Sequence, residues 1–213
     1  MNKYSFLIVA LSLITMMMFA QDYRPATPEQ QREVIRNITA ASEQMKTLRC
    51  DFVQKKTISI LAEELVSEGK FAFKQADKLF WEYASPYQYR FTMNGDKIMI
   101  DTGANREVID VNSSRIFKEI SKIIISGING SGIFEDNRFA AKFNIGQHDY
   151  QIVLTPKQRN LRQMFSSITI IFDNTDYTVN TVEMREANND VTIIIMKNKQ
   201  INIELDDEIF VIR

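Results

Sequence analysis

The sequence predicts an α+β fold in which one large, curved antiparallel sheet is covered by amphipathic helices acting as a lid. Two observations lead there. From Arg49 onward most segments are short, rich in β-branched and aromatic residues, alternate with a period of two and are separated by turn residues; two other stretches, 29–48 and 114–128, carry apolar residues at helical spacing. With 213 residues, 45% hydrophobic and 25% charged, the chain has the composition of a globular protein able to bury a sizeable core without disulfides.

Charge and soft-ligand counts exclude several classes of function. Lys plus Arg number 26 against 27 Asp plus Glu, so no cationic excess exists to neutralise phosphates and no nucleic-acid partner is expected. A single cysteine, Cys50, and a single histidine, His148, allow neither an internal disulfide nor a zinc or iron site built from His and Cys. No metal and no cofactor is expected.

Residues 1–20 read as a secretory signal peptide: Lys3 precedes an uncharged apolar run that ends at the small Ala20. Gln21 rather than cysteine follows, so lipid attachment to a mature N-terminal thiol is not expected. The remainder, 21–213, reads as a single domain, exported and soluble.

A helix follows directly. Thr27-Pro28-Glu29-Gln30 combines a capping box with proline at the first helical position, and Val34, Ile38, Ala41, Met45 and Leu48 form one stripe over 29–48. About eleven strands come next. The strongest hairpin pairs residues 87–93 with Lys97–Asp101 through Asn94-Gly95. Further turns fall at Gly103-Ala104-Asn105, Thr155-Pro156-Lys157, Asp173-Asn174 and Asn188-Asn189-Asp190. Connections this short make consecutive strands antiparallel neighbours, because parallel strands need a dozen or more linking residues. Between them, 114–128 places Ile116, Phe117, Ile120, Ile123, Ile124 and Ile128 at helical spacing before the glycines 127, 130 and 132. A second amphipathic helix with a glycine hinge is expected there, and a last strand at 209–212 after the acidic turn Asp206-Asp207-Glu208.

The aromatic residues concentrate between positions 71 and 91. Alternation puts Phe71 with Phe73, Leu79 with Trp81 and Tyr83, and Tyr89 with Phe91 and Met93 on common faces of their strands. With the strands in register these faces make one aromatic wall. Beneath two helical stripes such a wall is either a filled core or the lining of a hydrophobic cavity, and the residues alone allow both.

The strings Cys50-Asp51-Phe52-Val53-Gln54, Gly69-Lys70-Phe71-Ala72-Phe73, Leu79-Phe80-Trp81-Glu82-Tyr83 with Pro86 following, and Asn94-Gly95 with Ile98 to Ile100 resemble the outer-membrane lipoprotein carrier family (LolA-type). The pattern continues through Val153-Leu154-Thr155-Pro156-Lys157, 168–172 and 179–184. The resemblance implies an unclosed antiparallel β-barrel lidded by helices, with a hydrophobic interior for the acyl chains of lipoproteins. Carried over by position, the cavity lining comprises Phe52, Phe71, Phe73, Leu79, Trp81, Tyr83, Tyr89, Phe91, Met93, Ile98, Ile100, Ile170 and Phe172. The lid comprises Val34, Ile38, Met45, Ile116, Phe117, Ile120, Ile123 and Ile124. Where family members carry a lid-closing arginine before a proline, ahead of the tryptophan-bearing strand, this chain has Lys74-Gln75-Ala76. Lys74, Gln75 and Lys78 are therefore the gate candidates, and Gln75 carries no charge.

The resemblance further implies a monomeric periplasmic shuttle that takes acylated lipoproteins from an inner-membrane ABC-type release complex to an outer-membrane receptor. The alternative is a periplasmic sensor or interaction module of the same fold that detects lipid or mislocalised lipoproteins. No enzymatic activity is expected. His148 reads as an exposed turn residue and Cys50 as an inert thiol, a Cys50–His148 dyad lacks an orienting third group, and Asp206-Asp207-Glu208 lacks the oxygen-rich loop of a cation site.

Overall fold

The computed structural model describes residues 23–61, 63–113 and 137–213. The expectations for the signal peptide at 1–20 and for the second helix, with Ile116, Phe117, Ile120, Ile123 and Ile124, lie outside the described residues.

After the short strand β1 (Arg24–Pro25), helix α1 runs over Pro28–Gln44. Its start follows the sequence signals: the Thr27 side chain accepts from the Gln30 backbone N–H and the Gln30 side chain accepts from the Thr27 N–H, with Pro28 at the first position. Its end does not. The helix stops at Gln44, and strand β2 (Thr47–Ile58) has already begun where the expected stripe reached Leu48. Met45 is the capping residue in extended backbone, so Met45 and Leu48 are buried from outside the helix.

Strands β3 (Glu63–Lys74), β4 (Lys78–Ser85), β5 (Tyr89–Asn94), β6 (Lys97–Asp101) and β7 (Arg106–Asp110) continue β2 as a meander. Strands β8 (Phe139–Ile145), β9 (Asp149–Pro156), β10 (Phe165–Asp173), β11 (Val179–Glu186) and β12 (Val191–Ile201) form a second meander, with a four-residue helix α2 (Arg159–Arg162) before β10. The two join along β12 and β2 into one sheet of order β1-β8-β9-β10-β11-β12-β2-β3-β4-β5-β6-β7, antiparallel throughout. Among the described residues β1 and β7, at the two ends, pair only inward, so the sheet is curved and unclosed.

Turn chemistry sets the register. Asn94 pairs with Lys97, so the loop residues of this hairpin are Gly95-Asp96, one step beyond the Asn94-Gly95 expected, and Gly95 takes the positive φ of 59° that glycine permits at no steric cost. Strand β5 starts at Tyr89 rather than 87, and β9 extends through Pro156 to pair with Phe139. The strand expected at 209–212 is instead a 3₁₀ turn, Asp207–Phe210, started by the Asp206 side chain accepting from the Glu208 N–H.

The inner face of the sheet carries two adjoining apolar clusters. In the first, Val34 and Ile38 of α1 pack on Phe143, Ile152, Leu154, Ile168, Ile170 and Phe172 of β8 to β10. The second is drawn mainly from β2 to β6, with Met45, Val111 and Ile194 of β12, and holds Phe52, Phe71, Phe73, Trp81, Tyr83 and Phe91. Met184 borders both. Helix α1 thus lies over the β8–β10 half of the sheet, and burying each of Val34 and Ile38 is worth about 1.5–3 kcal/mol. On the opposite face the C-terminal segment folds back, seating Leu205 and Phe210 against Ala72 and Phe80.

Candidate functional site

Register brings the expected wall together. On the inner face Cys50 opposes Phe71, Phe71 opposes Trp81, Trp81 opposes Phe91 and Phe91 opposes Ile100. One pleat along, Leu48, Phe73, Leu79, Met93 and Ile98 make a parallel row. One pleat the other way, Tyr83 opposes Tyr89. Phe52 opposes Gly69, and the missing side chain there leaves room for its ring to reach Trp81, with centroids 4.7 Å apart, and Tyr83, at 5.2 Å. Trp81 also meets Phe71 edge-on at 5.4 Å and Tyr83 at 6.3 Å. Edge-to-face and tilted contacts of this kind add to plain area burial.

Polarity changes along the wall. The row from Leu48 to Ile98 is buried, with Phe73 and Leu79 fully enclosed. The next level holds Trp81, Phe91 and Ile100, all partly buried. Then come polar tips: the Tyr83 hydroxyl donates to Gln54 Oε1 at 2.8 Å, and burial pushes the phenols of Tyr83 and Tyr89 above their ordinary pKa, keeping both neutral. Alternation along β2 sets Lys56 on the same face beyond Gln54, where its ammonium pairs with Glu186 at 3.0 Å. Beside this end a cleft of about 350 Å³ is lined by Tyr83, Gln88 and Tyr89 with Glu82, Arg90 and Asp101. The face therefore grades from closed and apolar to aromatic, then to phenol and amide, then to an ion pair.

Trp81 Nε1 is buried in the wall beside the Tyr83 hydroxyl. Burial raises the Tyr83 phenol pKa, and hydrogen bonding from the Trp81 indole opposes that rise.

Several expected residues sit elsewhere. Ile170 and Phe172 lie under α1 with Val34 and Ile38, in the neighbouring cluster, whereas Met45 joins the wall. Lys74 and Lys78 point to the opposite face, where Asp207 takes both ammonium groups at 2.9 Å. Gln75 is exposed, and its backbone N–H donates to the Lys46 carbonyl at 2.8 Å. The structure thus brings the three gate candidates to the C-terminal segment and the end of α1 rather than to the wall. Gln54, Lys56, Glu186 and Met196 were not among the expected site residues; continuing the period-two alternation from Phe52 along β2 is the signal that finds the first two.

Cys50 and His148 are not brought together. Cys50 faces the wall with Sγ 3.4 Å from Met196 Sδ, and burial, reinforced by the Asp51 carboxylate and opposed by Lys199, pushes its thiol up to about 12. His148 is exposed in the β8–β9 turn, with β10, β11 and β12 between. Among the described residues no group of His, Cys, Asp and Glu is placed to hold a metal ion, and no helix is long and apolar enough to cross a membrane.

Comparison with known proteins gives the fold its relatives. No curated protein matches the chain. Among solved structures, the MucA/MucB complex of Pseudomonas aeruginosa is similar at 8% identity with a TM-score of 0.51, covering 83% of this chain and 59% of that one. An uncharacterised conserved protein from Thermus thermophilus is similar at 6% identity and 0.51, covering 86% and 94%. A LolA-superfamily protein from Nitrosomonas europaea has 10% identity and a TM-score of 0.49, covering 84% and 96%. At such identities the likeness is one of fold. Family membership rests on the sequence match over residues 43–213 to the family described as outer membrane lipoprotein carrier protein LolA, and with four-fifths of its length inside that match this chain belongs to that family.

Proposed function

We propose that this protein is a periplasmic carrier that holds the acyl chains of lipoproteins against the aromatic wall and moves them from the inner to the outer membrane. The observation that carries the reading is the polarity gradient on the inner face. An amphiphile with its tail along Leu79 and Phe73 and its polar part near Tyr83, Gln54 and the Lys56–Glu186 pair matches that gradient level by level.

Energetics then dictate how such a carrier works. Burying an acyl chain gains about 0.8 kcal/mol per methylene, so roughly 15 methylenes gain on the order of 12 kcal/mol before strain and displaced contacts are subtracted. Release into water at that cost is too slow to be useful. Loading therefore requires an energised donor, an inner-membrane ABC-type release complex, and delivery requires direct hand-over to an outer-membrane acceptor. Residues 114–128, read from the sequence as an amphipathic helix, supply the apolar stripe that competes with the acyl chain for the wall. The working form is a monomer without cofactor, and no step calls for catalysis.

The sensor reading is favoured by a different feature. At the turned end of the β2–β3 hairpin Ile60 is 89% exposed, with Leu61, Leu65 and Val66 also exposed, a surface suited to a protein contact. The test is extraction: purified protein is mixed with inner-membrane vesicles, ATP and the release complex, and soluble lipoprotein is measured. A carrier removes lipoprotein and a sensor does not. Mass spectrometry of organic extracts from protein isolated without detergent reports in addition what occupies the inner face, and extracts free of acyl compounds count against both readings.

A further inference from the structure

We propose that one end of the sheet is a docking rim for an anionic lipid bilayer, with the tip of the β2–β3 hairpin entering the headgroup region and the cations of the β9–β10 connection meeting lipid phosphates. The inference goes beyond the carrier reading and stands on the rim alone, whatever occupies the wall.

The exposed residues at the β2–β3 turn belong to a longer rim. Ile60, Leu61, Leu65, Val66, Tyr87 and Met164 are all exposed, and all lie at the end of the sheet where β2 gives way to β3, β4 to β5, and α2 to β10. Among the described residues the other exposed large hydrophobics, Val108 and Val211, sit on β7 and in the C-terminal segment. Hydrogen bonds fasten the loops of this end together: the Met164 carbonyl accepts from the Ala187 N–H at 3.0 Å, and the Asn188 carbonyl accepts from the Ser59 hydroxyl at 3.0 Å. Glu68 pairs with Ser85, and two residues further on along each strand come Val66 and Tyr87. Tyr83, Gln54 and Lys56 complete the polarity gradient of the wall toward this same end, so a membrane docked here faces the polar end of the wall.

Two features single out a bilayer as the occupant. Leu65 and Val66 are consecutive in β3 and so point to opposite faces of the ribbon, while Ile60, 89% exposed, stands at its end. A protein surface laid against a ribbon covers one face; the acyl boundary of a bilayer closes around both. Tyr87 adds the amphipathic ring that membrane interfaces favour. The second feature is charge. Lys157, Arg159 and Arg162 are exposed around α2, beside Met164, and none has an ion-pair partner among the described residues. Of the carboxylates beside the hairpin tip, Glu64 pairs with Lys55 at 3.7 Å, Glu186 pairs with Lys56 at 3.0 Å, and Asp190 accepts from the Ser59 N–H and hydroxyl, leaving Glu63 at the tip against the three cations. Apolar insertion and a basic patch are the two signals that together hold a protein on an anionic surface where either alone is marginal.

The test uses the full chain and protein-free vesicles of phosphatidylglycerol with phosphatidylethanolamine. Ile60→Cys and, at the other end of the sheet, Asp96→Cys each carry an environment-sensitive fluorophore, native Cys50 being buried. On these vesicles the label at 60 should shift to shorter wavelength and the label at 96 should not. No shift at 60, or equal shifts at both, overturns the rim, and residues 1–20 are common to the two labelled proteins. In co-sedimentation, a variant carrying Lys157→Gln, Arg159→Gln and Arg162→Gln should lose affinity about five-fold per cation, roughly a hundred-fold in all. Ile60→Ser with Leu61→Ser should lose about ten-fold or more. Parental affinity in both variants overturns the proposal. All five side chains are exposed, so both variants should keep the parent's thermal midpoint; should either not fold, the two labels decide alone. A chain that ignores protein-free vesicles but binds vesicles carrying the release complex has a protein partner at this end. One that self-associates in analytical ultracentrifugation and stops doing so with Ile60→Ser has a second copy there. Either result overturns the bilayer as occupant.

Discussion

Phe71 and Trp81 oppose each other across β3 and β4, and their rings meet edge-on with centroids 5.4 Å apart and planes at 80°. Because Trp81 is the only tryptophan of the chain, its emission reports this part of the wall alone. Trp81→Ala removes the ring that joins Phe52, Phe71 and Tyr83. We expect acyl-ligand affinity to fall roughly ten-fold or more from lost contact area, at a stability cost of up to about 3 kcal/mol for a partly buried site. In the wild type, titration with an acyl ligand should change the tryptophan emission saturably. Wild-type emission that stays constant while ligand binds would place the ligand elsewhere.

How much of this was legible in the sequence varies with the physics of each part. The wall was, because a period of two fixes which residues share a face and the short β3–β4 and β4–β5 connections leave little freedom of register, so Phe71, Trp81 and Phe91 meet. The end of α1 was not. Met45 and Leu48 continue the helical spacing by coincidence, no glycine or proline stops the run, and both are buried from a cap and a strand instead. Ile170 and Phe172, expected in the cavity lining, pack with Val34 and Ile38 beneath α1, and where a helix crosses a curved sheet is a matter that strand patterns do not encode. The turn at Asp207–Phe210 looked like a strand because Ile209 to Ile212 is apolar, yet only Phe210 is fully buried there.

The separation of the two inner-face clusters gives a second prediction. Ile38 is buried against β8 to β10, so Ile38→Ala should destabilise the protein by about 2–5 kcal/mol through the cavity it leaves. Because Ile38 belongs to the helix-side cluster, the native emission of Trp81 should be unchanged. Thermal denaturation and fluorescence on one sample check both, and an altered emission spectrum in the native state would show the clusters to be coupled.

Gly69 is required by close approach rather than by backbone conformation. A Cβ at this position would collide with the Glu82 carbonyl oxygen and come within 2.6 Å of the Phe52 ring, just where β3 and β4 shift register. Gly69→Ala should therefore cost about 1–3 kcal/mol in overpacking strain and turn Phe52 away from Trp81. Chemical denaturation measures the first effect and a shifted native emission the second; an alanine variant as stable as the parent would refute the close contact.

Cys50 should be unreactive while the protein is folded. With its thiol pushed up to about 12, roughly one molecule in ten thousand carries the thiolate at pH 8, and the sulfur is buried besides. Ellman's reagent at pH 8 should label no thiol in the native state and one after denaturation. Rapid native labelling would contradict the burial and restore Cys50 as a candidate nucleophile.

The C-terminal segment should be the acid-sensitive part of the molecule. Hydrogen bonds from Lys74 and Lys78 hold the Asp207 carboxyl below its usual range. A carboxyl with a lower pKa folded than unfolded contributes stability that is complete above its unfolded value, near 4, and is lost as pH falls through the folded value. The pairs tie the Asp207–Phe210 turn to the outer face of β3 and β4, so their loss should loosen Leu205 and Phe210 before the sheet itself. Amide hydrogen exchange over 205–210, corrected for the intrinsic rate, should show less protection at pH 3 than at pH 6, and Asp207→Asn should show the reduced protection at both. Equal protection of variant and parent at pH 6 would mean that Phe210 packing alone holds the segment, and that neither lysine restrains it.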